Sequence, residues 1–266
     1  MMKYSVLLWA VFLCSCNKDT IPEPYQPVDL PHVSRIDFIA GSDSSVFVYD
    51  GDMLLRSGRN HTADVNERER FAMQYSENNR LSGAEYEVVQ GLRLNPVAVT
   101  YSRDERNMLS KVTREGWNKT FTFSYDDHYR LHLITVTVPE GVNRYTVTYD
   151  GQSNVAAVEL YQKISETEGI TKWTYGEYDA HPNPFRFLVN VFFAPAFSSG
   201  CGAVRYDNLP LGMLLSVNNP GKVTEERNGE NNLTVFRYEY GEDNFPEMIF
   251  RNDDVPVVRI KYYKAE

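Results

Sequence analysis

The chain has 266 residues, 42% hydrophobic and 24% charged, a mix that excludes a disordered or collagen-like polymer. Lys and Arg number 27 against 36 Asp and Glu, a formal net charge of −9 that argues against a nucleic-acid binder. Three cysteines cannot build a disulfide framework, and 18 tyrosines with 14 phenylalanines favour strands over helices.

The N-terminus reads as an address. Lys3 supplies a positive charge, and Tyr4 to Leu13 form an apolar run broken only by Ser5. A helix needs about 20 apolar residues to cross a bilayer, so the run suits the apolar part of a secretory signal. Leu13-Cys14-Ser15-Cys16 follows and resembles the lipobox of bacterial lipoproteins. The resemblance implies a lipoprotein signal peptide over residues 1–15, cleavage before Cys16, acylation of Cys16 (palmitate among the chains) and loss of Cys14. A plain signal peptide with a chance cysteine is the simpler alternative. Stable anchoring takes more than one acyl chain, which a triacylated Cys16 would supply. Cys201 is then left without a partner, and no intrachain disulfide is expected.

Residues 16–32 read as a lipid-anchored, proline-rich tether, with Pro22, Pro24, Pro27 and Pro31 keeping it extended at about 3.1 Å per residue. Asn17 is not the aspartate that typically retains lipoproteins in the inner membrane, and Lys18-Asp19 loosely resembles the charged export tags of some surface lipoproteins. The expected location is the outer membrane of a Gram-negative bacterium, at the cell surface or on the periplasmic face.

Residues 33–266 read as one β domain with an internal repeat. Tyr49, Tyr75, Tyr101, Tyr125 and Tyr149 lie 26, 26, 24 and 24 residues apart, with Tyr178 and Tyr240 further on. Each ends an alternating run, such as Phe121-Thr122-Phe123-Ser124-Tyr125, and the period of two marks half-buried strands. Polar turns follow, among them Asp50-Gly51-Asp52, Asp126-Asp127 and Asp150-Gly151. An apolar residue resumes six positions after the tyrosine at Leu55, Leu81, Leu131 and Val155, but seven after Tyr101, at Met108. The unit is strand, tyrosine, turn, strand, and a string of units makes an antiparallel meander. About sixteen strands are expected, too many for a flat open sheet, so the fold class is all-β with a curled or closed up-and-down sheet. One short helix is expected near 208–216, with Asn208 as N-cap, Pro210 in its first turn and Leu211, Leu214 and Leu215 on one face, covering an end of the sheet.

Tyr125-Asp126-Asp127-His128-Tyr129-Arg130-Leu131 resembles the tyrosine-aspartate (YD or RHS) repeat of large bacterial wrapped-sheet proteins. Asn183-Pro184-Phe185, Leu215-Ser216-Val217-Asn218-Asn219-Pro220 and Tyr238-Glu239-Tyr240 running to Phe245-Pro246 resemble, in the same order, a group of outer-membrane lipoproteins carrying a domain of unknown function with a porin-like fold. That resemblance implies architecture and location, and no activity. Phe185-Arg186 in place of a second aromatic and the apolar stretch from Leu188 to Phe197 depart from the group's pattern.

A search for chemistry returns little. Nucleophile elbow, phosphate loop, dinucleotide fingerprint and zinc-protease motifs are missing. Cys201, with His181 the nearest histidine, suits an inert thiol better than a nucleophile. His128 and His132 fall in a turn and a strand and do not share a face as they would on a helix. Asp50, Asp52, Asp126, Asp127, Asp253 and Asp254 are explained by turn chemistry before Ca²⁺ binding. Trp117, Trp173, Tyr161 and Tyr129 lie outside the tyrosine series and suit core or cross-strand pairing, with stacking on sugars as the alternative. Cys16 is thus the one assigned site, as the lipid attachment, with no catalytic, metal or cofactor residue. The expected function is a non-catalytic binding or structural module on a lipid anchor, its partners the membrane and a glycan or surface protein. A glycan hydrolase using paired carboxylates is the first alternative. A membrane pore is the second, and it would need an outward apolar band about 25 Å tall.

Overall fold

A strand that is apolar on alternate residues has one face to hide, and a meander of such strands hides it by rolling up. The computed structural model describes residues 32–39, 43–61, 67–77, 80–90, 93–114, 116, 118–188, 210–252 and 254–263. Eight strands make the first half: β1 Val33–Phe38, β2 Asp43–Tyr49, β3 Leu55–His61, β4 Glu67–Tyr75, β5 Leu81–Gln90, β6 Arg93–Arg103, β7 Leu109–Arg114 and β8 Thr120–Tyr125. The second half holds β9 Leu131–Val138, β10 Gly141–Tyr149, β11 Val155–Ile164, β12 Thr167–Pro182, β13 Asn218–Arg227, β14 Glu230–Tyr240, β15 Pro246–Arg251 and β16 Val255–Tyr262. A 3-10 turn, Pro184–Leu188, and a helix α1, Leu211–Leu215, lie between β12 and β13. Each strand pairs antiparallel with the next, and β16 returns to β1 with Ile260 opposite Ile36 and Val258 opposite Phe38. The result is one closed sixteen-stranded barrel, which leaves no sheet edge open.

The alternation decides what lies inside. In β8, Phe121 and Phe123 are buried while Thr122 and Ser124 are exposed. In β10, Tyr145 and Val147 are buried while Arg144 and Thr148 are exposed. Every strand contributes to a single apolar cluster, in which Ile36, Ile134, Val147, Val158, Ile249 and Val258 have no exposed surface at all. Round barrels of sixteen strands leave an aqueous channel; here side chains fill the interior. The outer wall carries Arg56, Gln74, Glu85, Lys111, His132, Glu159, Lys172, Arg237 and Arg259, all exposed. That is the reverse of the apolar-out, polar-in order of a transmembrane barrel.

The rim where even strands end and odd strands begin is built from a repeated joint. Tyr49 faces Leu55, Tyr75 faces Leu81, Tyr125 faces Leu131 and Tyr149 faces Val155, each just past a bulge. In the turn that follows, Asp50, Asp126 and Asp150 each accept backbone N–H groups two and four residues on, at 2.8–3.0 Å. The residue three after the aspartate takes a left-handed conformation at Met53, Asn107, Tyr129 and Ser153, with φ of 59°, 65°, 60° and 66°. A non-glycine residue there costs about 1–2 kcal/mol, which the aspartate's hydrogen bonds offset.

The tyrosine hydroxyls close the joint. Four even strands end on a donor to the first carbonyl of the odd strand before them: Tyr49 to Val33 at 2.8 Å, Tyr75 to Leu55 at 2.7 Å, Tyr125 to Leu109 at 2.9 Å and Tyr149 to Leu131 at 2.8 Å. Tyr178 to Val155 at 2.6 Å, Tyr238 to Pro220 at 2.8 Å and Tyr262 to Pro246 at 2.6 Å continue the series. Burial pushes the hydroxyls of Tyr49, Tyr178 and Tyr262 up, so these donors stay protonated at any physiological pH.

Tyr101 does not belong to the series, which corrects the spacing argument. The joint position on β6 is Arg103, which faces Leu109 after the bulge and donates its Nη2 to the Leu81 carbonyl at 3.3 Å. Leu109 is the apolar residue six positions on, and Asp104 accepts the Met108 N–H at 2.8 Å. Tyr101, two residues earlier, points into the core with 6% exposure, and its buried hydroxyl has no hydrogen-bond partner. Arginine does the work of the tyrosine here because the joint needs a long side chain with a donor at its tip, not a ring.

The two positions predict opposite outcomes for the same change. Tyr125→Phe leaves the Leu109 carbonyl without its donor and should lower the unfolding free energy by about 1 kcal/mol in urea titrations. Tyr101→Phe removes an unpartnered buried hydroxyl and should leave stability unchanged or raise it. Equal losses at both sites would refute the hydroxyl–carbonyl joint.

Candidate functional site

The 3-10 turn and α1 come from the connection between β12 and β13, at the tyrosine rim. All five residues of α1 are buried, so the helix plugs the barrel rather than lying on it. Pro210 occupies its N-cap position without a side-chain cap, and Asn208 lies outside the described residues. The Gly212 N–H donates to the Tyr175 hydroxyl at 3.1 Å, and any Cβ at Gly212 would run into the Tyr175 ring. Ser216 accepts the Val155 N–H at 3.1 Å and donates to the Gly212 carbonyl at 2.7 Å. Asn183 donates its Nδ2 to the carbonyls of Met213 and Ser216 and accepts the Phe185 N–H at 3.0 Å. Asn154 accepts the Asn218 N–H at 2.8 Å. The asparagine-rich motifs of the second half are therefore the stitches of the plug. Asp179 gathers the Tyr240 hydroxyl, the Asn219 side chain and the His181 N–H, and the His181 ring stacks on Tyr240 at 4.1 Å.

Beside the plug, on the same rim, the β8–β9 and β10–β11 turns and the 3-10 turn border a half-open pocket of about 570 Å³. Its lining includes Tyr129, Arg130, Tyr149, Asp150, Ser153 and Arg186, together with His128 and Leu215 of α1. This volume suits a small-molecule ligand. Arg130 is already engaged: its Nε donates to Asp126 at 2.8 Å, and its guanidinium lies over the Tyr149 ring, 4.6 Å from the centroid. Arg186 is different. Its Nε is buried and has no hydrogen-bond partner, and it forms no ion pair among the described residues. A buried polar group without a partner costs about 1–3 kcal/mol, more when charged. Asp150 has its Oδ1 occupied by the N–H groups of Gln152 and Asn154, at 2.8 and 2.9 Å.

The residues singled out from the sequence scatter around this frame. Cys16, Trp117, Cys201 and Asp253 lie outside the described residues. His128 stands in an exposed turn at the pocket, while His132 sits on the outer wall with its Nδ1 3.0 Å from the Val147 carbonyl oxygen. Trp173 is half-buried against the core, and Tyr129 lines the pocket. Asp254 pairs with Arg237 at 2.6 Å. Asp50 and Asp126 have their Oδ1 atoms filled by backbone N–H groups, so turn chemistry accounts for them. Among the described residues, no three His, Cys, Asp or Glu gather as a metal site. Among the described residues, the pocket lining includes one carboxylate, Asp150. Arg186 was missed as a site residue. The only signal in the sequence was its place as a departure from the second-half motif, immediately after Phe185.

The molecule is thus a closed antiparallel β-barrel with an apolar interior, a helical plug and a polar rim pocket. No family model matches the chain, and no curated protein sequence matches it. Among solved structures it is similar to a porin-like protein from Bacteroides uniformis, at 13% identity, over 88% of this chain and 98% of that one, with a TM-score of 0.55. A porin-like protein from Bacteroides vulgatus is similar over 88% of this chain and all of that one, at 11% identity and a TM-score of 0.42. The Photorhabdus luminescens Tc holotoxin pore is similar over 84% of this chain but 13% of that one, at 11% identity and a TM-score of 0.33. At these identities the likeness to the first is one of fold.

The turns make a pH prediction. Burial pushes the Asp126 carboxyl up, but hydrogen bonds from the Arg130 backbone and guanidinium and from the His128 N–H outweigh it and hold the group below the usual carboxylate range. A carboxylate depressed in the folded state stabilises above its unfolded pKa of about 3.9 and loses that contribution as pH falls through the lower folded value. Asp126→Asn should therefore be less stable than the parent chain near neutral pH, with the gap narrowing below about pH 4. Urea titrations at the two pH values would show this, and a constant gap would exclude it.

Proposed function

We propose that the chain is a non-catalytic β-barrel binding module, tethered to an outer membrane or cell surface by lipid on Cys16. The closed barrel and its porin-like neighbours fit either a structural β module or a pore. The observation that favours the module is the direction of the alternation: apolar side chains fill the lumen and charged ones cover the wall. Burying that outer wall in lipid would place residues such as Lys111, Arg144, Glu159 and Lys172 in hydrocarbon, at about 2–4 kcal/mol for each basic residue near the midplane. Attachment through Cys16 needs no such insertion. The lipobox-like Leu13-Cys14-Ser15-Cys16 and the proline-rich segment after it support the tether. The source of the first structural neighbour, a Gram-negative bacterium, supports an outer-membrane or surface location.

Two measurements test this reading. Cys16→Ala in the full chain should move the protein from the membrane to the soluble fraction, and retention would refute the lipid anchor. Purified protein added to planar bilayers should produce no conductance steps. Reproducible ion channels would favour the pore.

A further inference from the structure

We infer that the rim pocket is a binding site for an acidic sugar, whose carboxylate pairs with Arg186 while its hydroxyls donate to Asp150. The inference rests on the module reading and names the ligand class of that site. Its first support is the unbalanced cation. Arg130 has Asp126 as its counter-ion, but the buried Nε of Arg186 has no partner, and nothing else described pairs with that guanidinium. Arginine's planar fork matches a carboxylate, so an anionic ligand group would satisfy it with two parallel bonds.

The second support is the rest of the lining. A pocket for a bare anion would hold only donors, whereas this one also presents a carboxylate. Oδ1 of Asp150 is filled by two backbone N–H groups, and Oδ2 accepts none among the described residues. An acceptor in the same lining as a cation that has no ion pair among the described residues suits a ligand carrying hydroxyl donors as well as one negative charge. Ser153 adds a hydroxyl to the lining. A volume of about 570 Å³ accommodates one or two sugar rings. Tyr129 reaches the pocket from a left-handed turn position, φ 60°, where the Asp126 loop holds it.

Isothermal titration of the full-length chain with glucuronate, glucose and inorganic phosphate tests the inference. Glucuronate should bind saturably and at least about tenfold more tightly than glucose or phosphate. Arg186→Gln should remove that preference, Arg186→Lys should keep part of it, and Lys172→Gln on the outer wall should leave it unchanged. Circular dichroism should show parental strand content in all three. No binding of glucuronate up to about 10 mM, or equal binding of glucose, would overturn the site. Phosphate binding as tightly as glucuronate would overturn the sugar assignment, and unchanged affinity in Arg186→Gln would overturn the role of that residue. Failure here leaves the membrane release of Cys16→Ala intact, so the ligand and the tether stand or fall separately.

Discussion

Strands that are apolar on one face only cannot rest in water singly or as a flat sheet. Sixteen of them in an antiparallel meander put Ile36, Ile134, Val147, Val158 and Ile249 on a common inner surface, and closure between β1 and β16 removes that surface from solvent. Apolar area left wet costs about 25 cal/mol per Å². A wide lumen lined by such residues would be unfavourable filled with water, so the side chains pack into it instead. Barrel closure, the packed interior and the polar wall follow from one alternating pattern.

Packing the walls does not by itself hold the turns or seal the ends. At one rim the strands are locked by donors to carbonyls near the start of neighbouring strands, from Tyr49 on β2 round to Tyr262 on β16. Arg103 shows that the joint is defined by reach and hydrogen-bond geometry rather than by residue type. The aspartate-capped turns that follow the joint residues carry left-handed residues at Met53, Asn107, Tyr129 and Ser153. The β12–β13 connection supplies the plug, and Asn183 and Ser216 satisfy the carbonyls of Met213, Ser216 and Gly212 at the end of the short helix.

The pocket arises where these two devices meet. Beside the plug, Arg186 and Leu215 join Tyr129 and Asp150 in the lining of one pocket. Loops on a rigid scaffold are the usual place for binding groups, and here the rigidity comes from the hydroxyl–carbonyl belt directly beneath. A filled barrel in this sense is a stand for its rim, and the fold alone does not name the function.

Much of the architecture was legible in the chain alone. A period of two, tyrosines about 24 to 26 residues apart and turn residues after each of them determined strand type, meander order, the strand number and the need to curl or close, because these are local properties of spacing and side-chain chemistry. Leu211, Leu214 and Leu215 likewise marked the helix that covers an end. Three things were decided only in three dimensions. Arg103 replaced Tyr101 in the belt because register depends on a bulge that spacing does not reveal. The plug's stitches, Asn183 to Met213 or Asn154 to Asn218, join residues 30 and 64 apart, beyond any local signal. Arg186 became a candidate ligand-binding residue because folding buried its Nε without a partner, and whether a charge is paired is a property of the space around it, not of its neighbours in sequence.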